Sequence, residues 1–371
     1  MKFRVTTKDG NARRGSLTLA RGVVETPVFM PVGTGGAVRT VTPEEVAESG
    51  ARVILGNTFH LMLRPGAEVI RAHDGLHKFM HWSGPILTDS GGFQVWSLAD
   101  PRDISEQGVT FRSPFDGSKI FLGAEESMSV QQTLGSDIAM VFDDCTPYPA
   151  THQNARESME RSLRWARRCR DAHSSDQQVL FGIAQGGIYP DLRVRSLEVL
   201  EEIGFDGYAL GGLSVGEPTD QMHSVLGQVT PQMPDEAPRY LMGIGRPEDI
   251  LAGVRSGIDL FDCVLPTRNA RNGWLYTRRG IVRLKNSAHR TDTRPVEEDC
   301  GCPACRHYSR SYLRHLFATG ETLGKRLCTL HNLWFFGAFM EDIRCAVDSG
   351  TLETFSEAFL DGYIERGTNV A

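Results

Sequence analysis

VLFGIAQGG (179–187) followed by DLRVRSLEVLEEIG (191–204) is the stretch of sequence that decides the fold. A short apolar run ends in small or polar residues, and a helical pattern with apolar residues three or four apart comes after it. Apolar strands without alternation are typical of a parallel sheet that helices cover on both faces. Seven further runs of this kind occur along the chain: VFMPVGT (28–34), VILGNT (53–58), PILTDSGG (85–92), IAMVFDDC (138–145), YALGGLSVG (208–216), YLMGIG (240–245) and LFDCVLPT (260–267).

Eight such units in 371 residues predict an α/β fold of the (β/α)8 type, a TIM barrel, rather than an open doubly wound sheet. No GxGxxG phosphate loop follows the first strand, which also argues against a dinucleotide-binding domain. Two inserts interrupt the pattern. Residues of about 99–125 contain GVTFRSPFDGSKIFL (108–122), a predicted hairpin with an Asp-Gly turn at 116–117. Residues of about 273–335 are predicted to form a subdomain within a single catalytic domain, 1–371.

The charge of the chain is distributed unevenly. The net charge of −6 argues against a protein coated in positive charge for nucleic acid. From Val264 to Leu316, however, eleven Arg and Lys stand against four acidic residues, which leaves 29 basic and 42 acidic residues elsewhere. A basic segment of +7 on an acidic body is the expected footprint of local polyanion binding. A solvated surface rich in ion pairs explains the same charges equally well.

Targeting and membrane segments are not expected in this sequence. No run of eighteen apolar residues occurs, and the N-terminal MKFRVTTKDGNARRG has no apolar core of a signal peptide. We therefore expect a cytoplasmic protein with no membrane partner.

Polar and small residues gather at the ends of the predicted strands, where a barrel of this kind carries its active site. They are Asn57, Asp89, Ser90, Gly91, Gly92, Asp143, Asp144, Gln185, Gly186, Gly187, Gly211, Gly212 and Asp262. Any one of the carboxylates could cap the following helix, but packing does not require three of them at one mouth. Carboxylates around a pocket suit substitution at an anomeric carbon, with one as nucleophile and another as acid and base. The residues alone therefore predict glycosyl chemistry shared among Asp89, Asp143 and Asp262.

Three cysteines, Cys300-x-Cys302-x-x-Cys305, have the spacing of a metal site. A tetrahedral zinc ion needs a fourth nitrogen or sulfur ligand, for which the candidates are His307, His315, Cys328 and His331, with His307 close in sequence to the thiols. A closed site of this type is structural and would hold the basic segment together. Nearby aromatic residues at helical spacing favour core or interface positions over base stacking: Tyr308, Tyr312, Trp334, Phe335 and Phe336.

Together these motifs resemble those of the tRNA-guanine transglycosylases, in particular the bacterial queuine tRNA-ribosyltransferase family. The resemblance covers nearly the whole chain and rests on ILGNTFHLMLRPG (54–66), LTDSGGFQVWSL (87–98), MVFDDCTPYPA (140–150), GIAQGG (182–187), GGLSVGE (211–217), RYLMGIG (239–245), FDCVLPTRNARNG (261–273) and CGCPACRHYSRSYLRHL (300–316). It implies a (β/α)8 barrel with a zinc-binding subdomain inserted near the C-terminus.

The resemblance also implies an activity and its catalytic residues. The wobble guanine, position 34, of GUN anticodons in Asp, Asn, His and Tyr tRNAs would be exchanged for 7-aminomethyl-7-deazaguanine (preQ1), a step of queuosine biosynthesis. Asp262 matches the nucleophile that forms a covalent intermediate with ribose, and Asp89 matches the general acid and base. Water must be kept out while the intermediate waits for the second base.

Further site residues carry over by position. The resemblance places the base among Asp89, Ser90, Gly91, Gly92, Phe93, Asp143, Gln185, Gly212, Leu213 and Met242, with Phe93 and Met242 on its two faces and Asn57 orienting Asp89. It places tRNA against Gly243, Arg246, Thr267, Arg268, Asn269, Ala270 and Arg271. It assigns zinc to Cys300, Cys302, Cys305 and His331. Two positions depart from the family pattern: Arg246 replaces a lysine and Asp144 a glutamate.

Subfamily and assembly rest on fewer residues. Val215 and Cys145 resemble the bacterial pattern, whereas eukaryotic relatives have a smaller residue at the Val215 position, which admits queuine. Family members are commonly homodimers, for which Trp82, Tyr308, Tyr312 and His315 are interface candidates. Three alternatives stay open: a non-catalytic tRNA-binding paralogue, a transglycosylase for queuine or the archaeosine precursor, and a nucleoside or glycoside hydrolase. The three carboxylates argue against the first, and the basic zinc segment against the last.

Overall fold

The computed structural model describes residues 1–98 and 102–367. In them the chain forms these strands: β1 (Lys2–Asp9), β2 (Ala12–Leu19), β3 (Gly22–Thr26), β4 (Val28–Pro31), β5 (Ile54–Gly56), β6 (Ile86–Thr88), β7 (Arg102–Ile104), β8 (Gly108–Arg112), β9 (Lys119–Gly123), β10 (Ile138–Met140), β11 (Val179–Ala184), β12 (Gly207–Leu210), β13 (Arg239–Leu241), β14 (Leu260–Cys263), β15 (Trp274–Thr277) and β16 (Gly280–Arg283).

The helices of the same ranges are α1 (Pro43–Glu48), α2 (Thr58–Leu61), α3 (Ala67–Arg71), α4 (Leu76–Met80), α5 (Gly92–Leu98), α6 (Ala124–Leu134), α7 (His152–Ala172), α8 (Pro190–Ile203), α9 (Thr219–Val229), α10 (Pro247–Ser256), α11 (Leu265–Arg271), α12 (Pro303–His307), α13 (Arg310–Ala318), α14 (Thr322–Asp348) and α15 (Leu352–Gly367). Local signals explain several boundaries. Thr151 caps α7 by accepting the Asn154 N–H at 3.2 Å, and α8 has Pro190 as its first residue. None of the helices in the described ranges has the length and apolar character that crossing a membrane requires.

Eight parallel strands form the barrel, in the order β4-β14-β13-β12-β11-β10-β6-β5. The ring closes between β4 and β5, where Val32 bridges Leu55 and the Gly33 N–H donates to the Leu55 carbonyl at 2.7 Å. Each of the eight predicted apolar runs overlaps one of these strands, and every residue of β11 is buried. The predicted (β/α)8 barrel is confirmed, and the carboxyl ends of its strands form one mouth.

A three-stranded antiparallel sheet, β7-β8-β9, stands beside this mouth. The predicted hairpin is present as β8 and β9, and Gly117 in its turn has a φ of +73° that favours glycine. Phe111 of β8 packs against Phe59 of α2, with 5.4 Å between the ring centroids. The start of the predicted insert, 99–101, lies outside the described residues.

A second, smaller core lies beside the barrel and follows β14 in the chain. Its buried members come from α11, β15 and the segments that lead into α14. The first half of α14 contributes Leu327, Cys328 and Leu330 to this core, whereas Phe336, Phe339 and later residues of the same helix belong to the barrel core. The helix is continuous through position 335. The predicted subdomain of about 273–335 and both of its boundaries stay a prediction.

Candidate active site and metal centre

Three carboxylates stand at the carboxyl ends of barrel strands. Asp89 directly follows β6, Asp143 lies three residues beyond β10, and Asp262 is the third residue of β14. Ser90 donates its hydroxyl to Asp143 Oδ1 at 3.0 Å, which links the first two loops. The negative charge of Asp262 contributes to the raised pKa of Asp89. The predicted convergence of these side chains on one mouth is therefore present in the structure.

Asp89 is buried and accepts three hydrogen bonds. The Thr58 N–H donates to Oδ1 at 2.8 Å, and Oδ2 accepts from Asn57 Nδ2 and, at 2.8 Å, from Gln94 Nε2. Burial raises the pKa of Asp89 to about 6, and the charge of Asp262 acts in the same direction. A carboxyl group with this pKa can donate a proton in one step and accept one in the next near neutral pH.

Asp262 presents one free oxygen to the mouth. Its Oδ1 accepts the Tyr240 hydroxyl at 2.5 Å and the Gly243 N–H at 2.8 Å. Among the described residues, no hydrogen-bond donor or cation contacts Oδ2, and the side chain is only partly buried. Burial raises the pKa of Asp262 from its ordinary value. The two donors orient the carboxylate, and the free oxygen is available to attack an electrophile.

Asp143 forms the floor of the pocket with Gln185. Gln185 is fully buried, and its Nε2 donates to Asp143 Oδ2 at 2.7 Å. Burial raises the pKa of Asp143 to about 6, with a further contribution from the neighbouring charge of Asp144. The Oε1 atom of Gln185 has no hydrogen-bond partner among the described residues. The oxygens of Asp143 and Gln185 are therefore acceptors to which a base edge with two adjacent N–H donors could hydrogen-bond.

Glycines let the backbone approach this floor closely. A Cβ at Gly212 would lie 2.4 Å from Gln185 Oε1, and one at Gly92 would lie 2.5 Å from the Asp143 carbonyl oxygen. Gly212 also has a φ of +62°. A side chain at Gly92 or Gly212 would therefore occupy this space, and glycine leaves it open for the backbone amides of the two loops.

A buried cation supports the same loops from behind. Arg193 of α8 donates to the carbonyls of Gly187 at 2.6 Å, Gly211 at 2.9 Å and Ala184 at 3.2 Å. Burial lowers the pKa of its guanidinium to about 10. The carbonyls that Arg193 holds belong to the ends of β11 and β12, so it fixes the loops that carry Gln185 and Gly212.

The remaining base-site candidates lie around the mouth. Phe93, in the first turn of α5, is 44% exposed, Met242 directly after β13 is partly buried, and Leu213 is buried. Gly91 packs against Phe59, where a Cβ would lie 3.4 Å from the Phe59 nitrogen. The positions of Phe93 and Met242 allow them to contact the two faces of a flat ligand, but their packing on both sides of a base stays a prediction.

The candidates for RNA contact divide into exposed and buried positions. Arg268 and Gly243 are exposed, and the partly buried Arg271 has an Nη1 atom without a hydrogen-bond partner among the described residues. Burial lowers the pKa of Arg271, and the positive charges of Arg39 and Arg268 act in the same direction. The side chains of Thr267 and Ala270 are buried in α11.

Ion pairs occupy part of the basic segment. Arg278 is paired with Asp342, and Arg294 and Arg310 share Asp292. Outside this segment, Arg246 lies 2.5 Å from Glu248. A surface rich in ion pairs therefore accounts for some of the positive charge. Arg268 and Arg271, by contrast, have no carboxylate partner among the described residues, and they lie on the helix that follows Asp262.

Cys300, Cys302, Cys305 and His331 form a group that could hold one metal ion. Their ligand atoms all lie within 4.8 Å of one another, and His331 Nδ1 is 3.7, 3.6 and 3.3 Å from the three sulfur atoms. A tetrahedral ion about 2.3 Å from sulfur and about 2.0 Å from nitrogen needs ligand separations of about 3.5–3.8 Å. The fourth donor beside the thiols is thus His331. His307 and His315 are exposed, and Cys328 is buried outside the group.

Several site residues carry no clear signal in the sequence. Tyr240 lies in a recognised motif, but only the packing of β13 beside β14 brings its hydroxyl to Asp262. Gln94 and Arg193 reach the site from helices, so neither stands at a strand end. Asn57, by contrast, stands at a strand end and donates to Asp89, a contact that the family resemblance implies.

Comparisons with known proteins identify relatives of this chain over nearly its whole length. A family model described as Queuine tRNA-ribosyltransferase matches residues 8–365. A protein of Thioalkalivibrio sulfidiphilus is 61% identical over 359 residues, 97% of both chains. One of Marinobacter nauticus is 59% identical over 370 residues, 100% of this chain and 98% of that protein, and one of Vibrio vulnificus is 58% identical over 361 residues, 97% and 96%. All three are named queuine tRNA-ribosyltransferase.

Proposed function

The chain belongs to the queuine tRNA-ribosyltransferase family, the tRNA-guanine transglycosylases, and on this premise we propose which base it exchanges and by which residues. As a member of this family it is a pentosyltransferase that acts on tRNA. The proposed reaction replaces the guanine at position 34 of GUN anticodons in Asp, Asn, His and Tyr tRNAs with preQ1, a step of queuosine biosynthesis. The observation that carries it is the division of hydrogen bonds among the three carboxylates.

In the first step Asp262 Oδ2 attacks C1′ of the ribose. The bond between C1′ and the guanine nitrogen breaks, its electron pair goes to the base, and protonated Asp89 supplies the proton that neutralises the leaving guanine. The orientation of Asp262 by Tyr240 and Gly243, which leaves Oδ2 free, supports this assignment. The pKa of about 6 for Asp89 supports a group that is protonated in a useful fraction of molecules near neutral pH.

In the second step the incoming base loses a proton to the Asp89 carboxylate. Its ring nitrogen then attacks C1′, and the bond between C1′ and Asp262 breaks, which regenerates the free carboxylate. A covalent intermediate suits an exchange reaction, because the ribose stays attached while one base leaves and another enters. Asp143 would select the guanine edge by accepting from the N1–H and the exocyclic amine, a donor pair that adenine lacks.

The preference for preQ1 over queuine draws support from a narrow cavity beside the base site. Thr146, Tyr148, Gly212, Val215 and Glu217 are among the residues that line it, and its volume is about 10 Å³. A space of this size holds no more than one water. The aminomethyl group adds only two heavy atoms to the base, whereas the cyclopentenediol of queuine requires far more space than this cavity offers.

We also propose zinc as the metal of the Cys300, Cys302, Cys305 and His331 group. Three thiolates and one imidazole are the ligand set that zinc prefers in closed structural sites, and the donor separations suit a tetrahedron. The ion would connect α12 to α14 and stabilise the smaller core. It would leave no position for water, so its role is structural.

The proposed assembly is a cytoplasmic homodimer. Tyr308 and Tyr312 stack with 5.3 Å between centroids, and Tyr312 and His315 are exposed, which supports an aromatic contact with a second copy. Trp82 is 6% exposed and donates its indole N–H to the Pro85 carbonyl, so only its edge is available to a partner.

Release of labelled guanine tests the reaction directly. A tRNA with labelled guanine at position 34 of a GUN anticodon should lose label when preQ1 and the protein are added, and Asp262→Asn should abolish the loss. A tRNA with another base at position 34 is the substrate control. Near-normal turnover by Asp262→Asn would reject the nucleophile assignment, and exchange with queuine as efficient as with preQ1 would reject the pocket assignment.

A further inference from the structure

Asn332 is a buried amide next to the metal-ligand candidate His331. It has no exposed surface, and every polar position of its side chain is used. Its Oδ1 accepts the Tyr276 N–H at 3.0 Å, and its Nδ2 donates to the carbonyls of Pro266 at 2.8 Å and Trp274 at 3.1 Å. One side chain of α14 therefore holds both β15 and the first turn of α11.

His331 contacts the same strand. The carbonyl of Tyr276 can only accept, so His331 Nε2 carries the proton of the 2.7 Å bond and Nδ1 presents its lone pair to the three thiols. The hydroxyl of Tyr276 in turn accepts from Asn269 Nδ2 of α11 at 2.8 Å. Two independent connections thus join the metal-ligand helix to α11, one through the backbone at Pro266 and one through Tyr276.

The location of these contacts explains what they can control. Positions 331 and 332 lie where α14 passes from the smaller core into the barrel core. The partner helix, α11, begins two residues after β14, which contains Asp262, and it carries Arg268 and Arg271. No side chain caps the N-terminus of α11. A shift of this helix would move the two arginines while β14 stays held by its barrel neighbours.

We propose that Asn332 is a positioning residue for RNA recognition, which transmits the fixed geometry of the metal centre to α11. The inference rests on the proposed function, since it takes Arg268 and Arg271 as contacts of the anticodon loop. Loss of the Asn332 contacts weakens binding of the RNA, whereas the base pocket at Asp143 and the chemistry at Asp262 are largely retained.

Asn332→Asp is the most selective change, because aspartate has the same size and keeps an acceptor for the Tyr276 N–H. It removes both donors and places a carboxyl group against two carbonyls. Thr329→Val is the matched control: Thr329 is buried in the same helix, but its hydroxyl contacts Thr40 and the Lys325 carbonyl rather than α11. If Asn332→Asp does not fold, Asn332→Ser, which leaves space for a bridging water, takes its place.

The measurements are metal content, binding of an anticodon stem-loop RNA by fluorescence anisotropy, and steady-state exchange of guanine. We expect one metal ion per chain in all variants. For Asn332→Asp the Kd and KM for RNA should rise about tenfold, which corresponds to about 1.4 kcal/mol. Its kcat and its KM for the free base should stay within about threefold of the parent values. Thr329→Val should change the Kd and KM for RNA by less than twofold.

A double-mutant cycle separates positioning from general destabilisation. If Asn332 acts through α11, the loss of RNA affinity caused by Arg268→Ala should be at least threefold smaller in the Asn332→Asp background. Additive effects, unchanged RNA affinity, or a parallel decline of all kinetic constants would overturn the inference. Absence of guanine exchange in the parent protein would instead reject the proposed function, so the two failures are distinguishable.

Discussion

Asp143→Asn should stabilise the protein above pH 6 while it abolishes recognition of guanine. In the folded state Asp143 is buried, and its pKa is raised from 3.8 to about 6. Folding therefore opposes the charged form of this carboxyl. An asparagine of the same shape carries no charge and keeps the acceptor for the Ser90 hydroxyl. Rotation of the Gln185 amide would bring its unpartnered Oε1 to face the new Nδ2.

The sign and size of the stability change in Asp143→Asn follow from the shift in the pKa of Asp143. Because the folded-state pKa lies above the unfolded value, the contribution of Asp143 to stability is full below pH 3.8 and is lost as the pH rises to about 6. A shift of about two pKa units corresponds to about 3 kcal/mol at most. We expect Asp143→Asn to raise the free energy of unfolding by about 1–3 kcal/mol at pH 8, after allowance for imperfect hydrogen bonds.

Urea unfolding of the metal-loaded protein between pH 4 and pH 8 measures this difference. The increase in the free energy of unfolding of Asp143→Asn over the parent should be largest at pH 8 and should approach zero near pH 4, while the m-value stays constant. Binding of guanine should be lost at every pH. A variant that is destabilised at pH 8, or a gain that does not depend on pH, would show that burial of charge at Asp143 is not the cause.

Three further predictions concern the nucleophile, the metal and the pH dependence. Tyr240→Phe removes a donor to Asp262, and single-turnover kinetics should show about a tenfold slower first step with the RNA KM unchanged within twofold; an unaltered rate would exclude a role for this hydroxyl. Cys302→Ser should lose most of its bound metal by elemental analysis and unfold at a lower temperature; an unchanged metal content would reject the ligand assignment. The kcat/KM for the incoming base should fall as the pH drops below about 6, because protonated Asp143 loses an acceptor for the guanine edge and protonated Asp89 cannot take the proton of the incoming base; a flat profile down to pH 5 would contradict their raised pKa values.

The barrel was predictable from the sequence because each strand is a short apolar run with its own boundary signals. Parallel strands buried on both faces have no polar alternation, and the eight runs match the eight strands one to one. The same logic located Asp89, Asp143 and Asp262, since the carboxyl ends of parallel strands lie at one mouth. The Cys-x-Cys-x-x-Cys spacing likewise indicated a metal site, although spacing alone left the fourth ligand open.

Residues that act across elements were not predictable in this way. The hydroxyl of Tyr240 reaches Asp262 because β13 and β14 are neighbours with a particular register, which periodicity does not encode. Arg193 lies on a helix, where a charged residue is normally expected at the surface. Its burial depends on backbone carbonyls that the loops after β11 and β12 direct toward it. Asn332 likewise lies on a helix, and its contacts with β15 and α11 depend on packing that periodicity does not encode.

The most direct test of the account is the identity of the residue that carries the RNA. An anticodon stem-loop with guanine at position 34 should be incubated with the protein in the absence of a second base, denatured, and digested with trypsin. Mass spectrometry should find the ribose adduct on the peptide Ser256–Arg268, at Asp262 rather than Asp259, and Asp262→Asn should yield no adduct. An adduct at another residue, or guanine exchange that persists in Asp262→Asn, would contradict the proposed double displacement.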